Sequence, residues 1–594
     1  MNTAPSAPVR NSRMVGLVRA VLAHRRLPLG VAVLAAALVL PSLTGGWAGD
    51  DHFHRMRLAG PADRPDLQLL KSESPFALFT FFDGDPQRNA RLIDVGLAPW
   101  WTYPHLKAAF CRPLAGLTHH LDYWLWPNLP SLMHLQSVLW YAALVAAVAV
   151  LYRNVMGATV AAGLAALLFA VDDAHGMPAG WLANRNAVIA ALLGVLCLVA
   201  HDRWRRAGWK PGAAVAPLAL VLSLFSSEAG AAVVFYLLAY AAFVDSGKLR
   251  GRLASLLPAA GVVVVWRVVY VAMGYGVGGT GLYIDPVLEP MRFAGAIAER
   301  GLFLLQLQWA FPSSRMHVYG VVFLVVLVVL LVPLLRRSRS ARFWAMGMVL
   351  SVVPICGTYP DPRLLIFVGL GAFGLMAELM AAALSAAPWR PATPLWRWPA
   401  VAMSVFFIAV HLVLAPVGLA GRAARPFGPK GLMEDAIHAV PLRDAVEQRD
   451  VIFVNAPIAH GAYLLTLRAM EGRPVPRHTR VLAPSGAAVR LSRPDAHTLV
   501  VRPRGGYLSQ IPDRIVRSRA HPMSLGQTVD LTGLTIRVTC LTKDGRPAEV
   551  AFRFDVPLDD PSLLWLHWAD GRFEPFTPPE VGQTADLPAP NFRL

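Results

Sequence analysis

The stretch "LPLGVAVLAAALVLPSLTGGWAGDDHFHRMR", residues 27–57, decides how the rest of the chain is read. Its first two thirds are almost free of charge and long enough to cross a bilayer, which takes about 20 apolar residues. Its last third turns abruptly polar at Asp50 and Asp51. Ahead of it stands a basic head with Arg10, Arg13, Arg19, Arg25 and Arg26. A cleaved signal peptide is the competing reading, but the apolar part is long for one and no A-x-A site follows. The stretch reads as a retained signal anchor, with residues 1–26 cytoplasmic and Asp50 emerging on the outer side.

Ten more apolar runs follow, at about 135–152, 157–171, 187–201, 212–227, 229–244, 253–273, 316–335, 343–357, 364–386 and 398–420. With the first they predict about 11 transmembrane helices. The connectors between alternate pairs are basic: Arg203, Arg205, Arg206 and Lys210; Lys248, Arg250 and Arg252; Arg336, Arg337, Arg339 and Arg342; Arg390 and Arg397. With a cytoplasmic N-terminus all of them fall inside, as the positive-inside rule requires. The composition agrees, since 55% of the 594 residues are hydrophobic and only 15% charged, against about a quarter charged in soluble proteins. The net charge of +18 is therefore read as helix orientation, and nucleic acid is excluded as a partner. The apolar stretch 293–311, "FAGAIAERGLFLLQLQWAF", carries Glu299, Arg300, Gln306 and Gln308 and is expected to lie at the outer interface or re-enter. Four cysteines without C-x-x-C spacing rule out a disulfide scaffold or structural zinc. Cys111 and Cys356 could pair across the outer surface, although nothing in their spacing demands it.

The expected organisation is thus a transmembrane domain over 27–420, with a large outer loop at 48–134, and an outer domain over 421–594. In the latter, "VIFVNAP" (451–457) reads as a buried strand leading into a helix near 460–471. "TRVLAPS", "HTLVVRP", "LTIRVTCLT", "AEVAFRFDV" and "LLWLHWADGRF" read as further strands. "KDGR" (543–546) is a hairpin turn. The fold class is an α-helical polytopic membrane protein with a C-terminal β-rich soluble domain.

Ionisable residues at the outer ends of the spans are the informative positions. Asp50 and Asp51 suit general-base work on a hydroxyl, because a desolvated carboxylate is a stronger base. With His52 and His54 they could hold a divalent metal such as Mg or Mn; the bland alternative is a polar helix end that stops the span. "FCRPLAGLTHHLDYWLW" (110–126) contributes Arg112, His119, His120 and Asp122, and also reads as an interfacial aromatic helix. "VDDAHGMPAGWLANRNA" (171–187) gathers Asp172, Asp173, His175, Trp181, Asn184 and Arg185. Ser226, Ser227 and Glu228 interrupt an apolar hairpin. "GTYPDPRLLIFVGLG" (357–371) adds Tyr359, Asp361 and Arg363. Arg185 and Arg363 sit outside, against the positive-inside trend, where a guanidinium can hold a phosphate bidentately. Carboxylates and phosphate-seeking arginines at one membrane surface fit group transfer from a lipid-borne phosphate.

The order of these motifs resembles the GT-C superfamily of polytopic glycosyltransferases. The nearest likeness is to the branch of protein O-mannosyltransferases and the transmembrane O-mannosyltransferases with tetratricopeptide tails, over residues 27–385. Asp50–Asp51 matches the acidic motif after the first span. "RPLAGLTHHLDYWLWPNLPSLMHLQ" (112–136) matches an "RPL…LDY.LW…HL" segment, and His175, Trp181 and Arg185 match "H-x-x-x-x-x-x-W-x-x-x-R". Ser227–Glu228 matches "K/S-E", and "RLLIFVGLG" (363–371) a later "R-x-L-Y-L-P-S-L-G". The sequence departs from the pattern with "DD" for "HP", Ser227 for Lys and "IFVG" for "YLPS", and it carries no tetratricopeptide tail.

The resemblance implies a hexosyltransferase using a polyprenyl-phosphate-linked sugar, with inverting displacement at the anomeric carbon. Asp50, with Asp51 beside it, would activate the acceptor hydroxyl, and Arg185 and Arg363 would neutralise the departing phosphate. His175, Glu228, Arg112 and Asp122 would orient acceptor or acid. Members differ in whether they use a divalent ion. The acceptor would be a protein, glycan or lipid. The expected location is a bacterial inner membrane, multi-pass among membrane lipids, with the C-terminal domain periplasmic or extracellular. Two other readings stay open: a transporter of an anionic or lipid-linked substrate, and a non-catalytic anchor displaying a binding domain.

Overall fold

The computed structural model describes residues 16, 19–60, 67, 74, 77–309, 317–384, 394–427, 438, 440, 446–456, 458–484, 486–569 and 572–589. Arg10, Arg13 and Arg390 of the basic clusters lie outside the described residues. The chain forms two compact units.

The first unit comprises residues 1–46, 111–269 and 293–426 and is helical. Among the described residues, seven helices are long and apolar enough to cross a membrane: Leu27–Thr44, Pro130–Met156, Leu182–Ala207, Leu249–Ala272, Val318–Arg337, Ile366–Leu384 and Pro394–Ala424. Val160–Ala170 and Asp173–Gly180, bent by 41° at their junction, make an eighth if counted together. This is a multi-pass membrane protein. Three of the eleven expected runs form helices shorter than these. The runs at 212–227, 229–244 and 343–357 are helices, but Gly212–Leu224 has 13 residues, Ala232–Phe243 has 12 and Arg339–Ile355 has 17. At 1.5 Å per residue, 13 residues reach about 20 Å of a roughly 30 Å hydrocarbon core. The stretch at 293–311 contains a helix, Pro290–Gln308, which is not among the seven.

Small residues set the helix spacing. A Cβ on Gly371 would lie 2.5 Å from the Trp344 carbonyl oxygen, so the helices Arg339–Ile355 and Ile366–Leu384 approach backbone to backbone, as membrane helices do through small residues. The last span contains a π-helical stretch, Ile408–Leu414. Cys111, Cys197, Cys356 and Cys540 are all free thiols, so the pairing of Cys111 with Cys356 does not occur. Cys111, Cys197 and Cys356 are buried and Cys540 is partly exposed; burial, with Glu228 adding to it, pushes the Cys111 thiol up to about 11.

The second unit draws together residues 47–110, 270–292 and 427–594. Its strands are β1 (Thr80–Asp83), β2 (Lys107–Ala109), β3 (Gly276–Gly278), β4 (Asp450–Ala456), β5 (His478–Pro484), β6 (Val489–Ser492), β7 (Thr498–Pro503), β8 (Thr528–Leu531), β9 (Leu534–Leu541), β10 (Pro547–Phe554), β11 (Leu563–Ala569), β12 (Arg572–Pro575) and β13 (Thr584–Leu587). They form three sheets, ordered β1-β2-β3, β13-β6-β7-β10-β9-β8 and β12-β11-β4-β5. β4 is parallel to β5 and β11 and buried throughout, which explains its unbroken apolar run. The helix Ile458–Met470 provides the crossover that parallel pairing requires. "KDGR" joins β9 to β10, with Gly545 at φ +79°, a conformation that favours glycine.

One core joins residues 47–110 to 427–594, and the segment 270–292 adds β3 to the small sheet. Trp100 and Trp101 are buried with Tyr507 and Phe552, and Trp100 Nε1 donates to the Leu482 carbonyl at 3.3 Å. Arg517 donates to the carbonyls of Trp101 and Thr102 at 2.6 and 3.0 Å; burial lowers its pKa to about 10.

Candidate functional site

In the first unit the polar turns at helix ends meet as a set of ion pairs. Glu228 opens a short 3-10 turn capped by the Ser227 hydroxyl, which accepts from the Ala229 N–H at 3.4 Å. Arg112 reaches the same carboxylate oxygen with two donors, Nε and Nη2, each at 2.8 Å. Its Nη1 donates to the Asn186 amide oxygen at 3.1 Å, in the amide orientation that satisfies both ends of Asn186. Ser227 thus serves as a cap, and the positive charge facing Glu228 comes from Arg112, 116 residues away in sequence.

Arg185 and Asp122 are completely buried. Arg185 Nη1 donates to Asp122 Oδ2 at 2.6 Å and also to Gln136 Oε1, Nε donates to Ser137 Oγ at 2.8 Å, and Nη2 to the Met133 carbonyl at 2.7 Å. The guanidinium therefore clamps the helix Pro113–Leu125 and the start of Pro130–Met156 to its own helix. With its donors committed this way it has the geometry of a framework residue.

The double acid of 171–187 divides its work. Asp172 Oδ2 lies 3.6 Å from His175 Nε2, and His175 Nδ1 meets the Tyr141 hydroxyl at 3.1 Å. Asp173 turns the other way and pairs with Arg422 of the last span at 3.1 Å. The close fit of this turn to the last span depends on Gly180, where a Cβ would fall 2.2 Å from the Ala423 carbonyl oxygen.

Arg363 stands apart. Asp361 accepts its backbone N–H at 2.9 Å, but the side-chain ion contact is 3.8 Å. That is the longest among Arg112, Arg185, Arg363 and Arg422. Its Nε is buried without a hydrogen-bond partner among the described residues. Its guanidinium lies over the Trp181 ring, 5.3 Å from the centroid, and the turn at 173–175 packs against 362–364. Two motifs nearly two hundred residues apart are thereby joined. Arg300 donates to the carbonyls of Cys356 and Thr358 at 3.1 and 2.8 Å and braces the turn that leads to Arg363. Sequence reasoning gave no role to Arg422, Asn186 or Tyr141. An arginine just past the last apolar run was the one available signal.

Asp50, Asp51, His52 and His54 belong to the second unit. Both acids fall in the first turn of the helix Asp50–Ala59, where the helix dipole favours negative charge. Asp50 Oδ1 accepts from the Tyr463 hydroxyl at 3.1 Å, and Asp51 Oδ2 from the Ala48 N–H at 3.0 Å. His52 packs edge-on to Tyr463 and His54 to Phe79. Successive helical residues point about 100° apart, so the four side chains fan out. Among the described residues no group of three or more His, Cys, Asp or Glu could hold a metal ion, and this quartet does not fit one.

No family model matches the chain, and no curated protein matches it. Among solved structures it is similar to the archaeal oligosaccharyltransferase from Archaeoglobus fulgidus in complex with an inhibitory peptide and a dolichol-phosphate. The identity is 13% and the TM-score 0.40, over 76% of this chain and 64% of that one. It is also similar to the Archaeoglobus fulgidus oligosaccharyltransferase in complex with Zn and sulfate, at 14% identity and TM-score 0.37, over 76% of this chain and 62% of that one. In both cases the chain covers less than two thirds of the other protein's length.

Proposed function

We propose that this protein is a GT-C-type membrane glycosyltransferase that moves a sugar from a polyprenyl-phosphate-linked donor to an acceptor hydroxyl on the outer face of the membrane. The observation that carries this reading is Arg363, held over Trp181 with its Nε buried and making no hydrogen bond among the described residues, beside the Asp172–His175 turn. It is a cation presented at the helix ends with a looser ion contact than Arg112, Arg185 or Arg422. In the reaction the acceptor oxygen forms a bond to the anomeric carbon as the bond from that carbon to the phosphate oxygen breaks with inversion. The polyprenyl phosphate departs, and the acceptor proton passes to a carboxylate. Asp50 is our base, with Asp51 fixed beside it by the Ala48 N–H. Arg363 neutralises the charge on the leaving phosphate, where a preorganised cation acts most strongly. Arg185 and Asp122 position the helices, Arg112 orients Glu228, and His175 is oriented by Asp172 and Tyr141. The likeness to O-mannosyltransferases makes a hexose the proposed sugar. The outer orientation, with a cytoplasmic N-terminus, rests on the basic connectors.

The test is turnover of lipid-linked monosaccharides in membranes holding the native chain, Asp50→Asn or Arg363→Ala, read by mass spectrometry of polyprenyl-phosphate sugars and free polyprenyl phosphate. Consumption of one species by the native chain alone is expected. Equal consumption by Asp50→Asn removes that residue as the base. If no lipid-sugar is consumed at all, the anchor reading replaces the enzyme.

A further inference from the structure

We infer that the second unit carries a binding pocket for an acidic peptide segment, formed where β6, β7, β9, β10 and β13 come together. The pocket lies within that unit, and the inference stands independently of the transferase reading.

A cavity of about 930 Å³ opens there, rimmed by Arg490, Arg502, Arg504 and Arg546. That volume falls in the range of ligand sites. The four arginines are not equivalent. Arg546 is structural: Nε pairs with Asp544 at 2.7 Å, and Nη1 donates to the carbonyls of Gly505 and Tyr507 at 3.0 and 2.8 Å. It pins the turn after β7. Gly505 and Gly506 take φ of +85° and +77°, and a Cβ on Gly506 would meet the Pro547 carbonyl oxygen at 2.8 Å. Arg504 therefore projects from a fixed turn. Its side chain is exposed and has no ion pair or hydrogen bond among the described residues. Arg490 and Arg502 are paired, with Asp586 at 2.9 Å and Glu549 at 3.4 Å, but they are 66% and 54% exposed. Exposed pairs of this kind add little to stability, so an incoming carboxylate competes readily with Asp586, and less readily with Glu549, which also accepts from the Thr539 hydroxyl at 3.0 Å.

The walls select the ligand further. Between the arginines they are aliphatic, with Val489, Leu541 and Leu587, and no lining residue is aromatic. A neutral glycan would have no ring to stack on. A peptide with carboxylates flanked by aliphatic side chains matches both the cationic rim and the apolar floor.

Cys540 lines the same pocket, 4.0 Å from Arg502 Nη2, and is partly exposed while the other three cysteines are buried. It is a built-in reporter. The full-length protein in zwitterionic nanodiscs is titrated with a fluorescein-labelled peptide alternating Glu with Leu and Val, and binding is read by anisotropy. Alkylation of Cys540 is followed with and without peptide. Saturable binding that slows Cys540 alkylation is expected. Arg504→Glu, and separately Arg502→Glu, should weaken it about tenfold or more, the size of one lost charge-assisted contact. Arg537→Glu, the same charge change on β9 outside the pocket lining, should leave it intact. Equal weakening by Arg537→Glu, or binding without protection of Cys540, overturns the proposal in favour of non-specific charge attraction. Equal binding of the Gln-for-Glu peptide overturns it as well. Full competition by inorganic phosphate, or by phosphatidylglycerol vesicles, assigns the pocket to a small anion or a lipid surface instead.

Discussion

At the scale of single residues, four arginines of the first unit differ in how closely they are paired: Arg112, Arg185 and Arg422 hold ion pairs at 2.8, 2.6 and 3.1 Å, while the Arg363 contact is 3.8 Å. Removing Arg185 leaves Asp122 fully buried without its counter-ion, and breaking such a pair costs about 3–5 kcal/mol. Arg185→Ala and Asp122→Ala should each lower the thermal midpoint in detergent sharply. The double variant should lose clearly less than the sum, because the pair is coupled. Arg185→Lys should not rescue, since an ammonium cannot span the four acceptors of this fork. Arg363→Ala should instead keep the native midpoint and lose lipid-sugar turnover; a fall in both would make Arg363 another framework residue. In the second unit, burial pushes the Asp513 carboxyl up to about 7, only partly offset by the Gln510 N–H and Arg514. The folded state then binds a proton that the unfolded state releases near pH 4. Stability should fall as pH rises from about 4 to 7. Asp513→Asn should flatten that slope in a tryptophan-fluorescence melt, by at most about 4 kcal/mol over the window.

At the scale of elements, the turn 173–180 is seated on the last span by the absence of side chains. Gly180→Ala would drive a methyl into the Ala423 backbone, whereas a Cβ on Gly421 meets nothing within 4 Å. Gly180→Ala should therefore lower turnover and thermal stability while Gly421→Ala changes neither, as measured in the same membranes; equal effects would mean that the turn is not seated this way. The elements themselves were largely legible. Apolar runs marked the helices, and alternation with Gly and Pro punctuation marked β5, β7, β9, β10 and β11. Helix length was not legible, because hydropathy registers burial in lipid and in protein alike. The break at Ser226–Glu228 is a turn made by the Ser227 cap and the Arg112 ion pair, and no sequence window reveals a partner 116 residues away.

At the scale of the whole molecule, the second unit is not the contiguous tail that chain order suggests. Its core includes Leu92, Trp100 and Trp101 from the segment after the first span beside Val451, Leu482 and Phe552. β3, from the segment between two helices, completes the small sheet. Residues 427–594 expressed alone should expose that apolar surface, aggregate and lack a near-ultraviolet tryptophan signal. Joining 47–110 and 270–292 to them should restore a monomer on size exclusion. A well-folded isolated tail would show that the loop segments are accessory.

Composition and spacing by themselves determined that this chain is membrane-bound, where its helices run, that a β-rich domain follows them, and which polar turns deserve notice. Those properties are local, since each is set by the free energy of a short segment in lipid or water. The partners of the polar turns were decided only by tertiary structure: Glu228 with Arg112, Asp122 with Arg185, Asp173 with Arg422, and Arg363 over Trp181. An ion pair depends on the distance between charges in space, and the chain brings distant segments to that distance only when the whole unit packs.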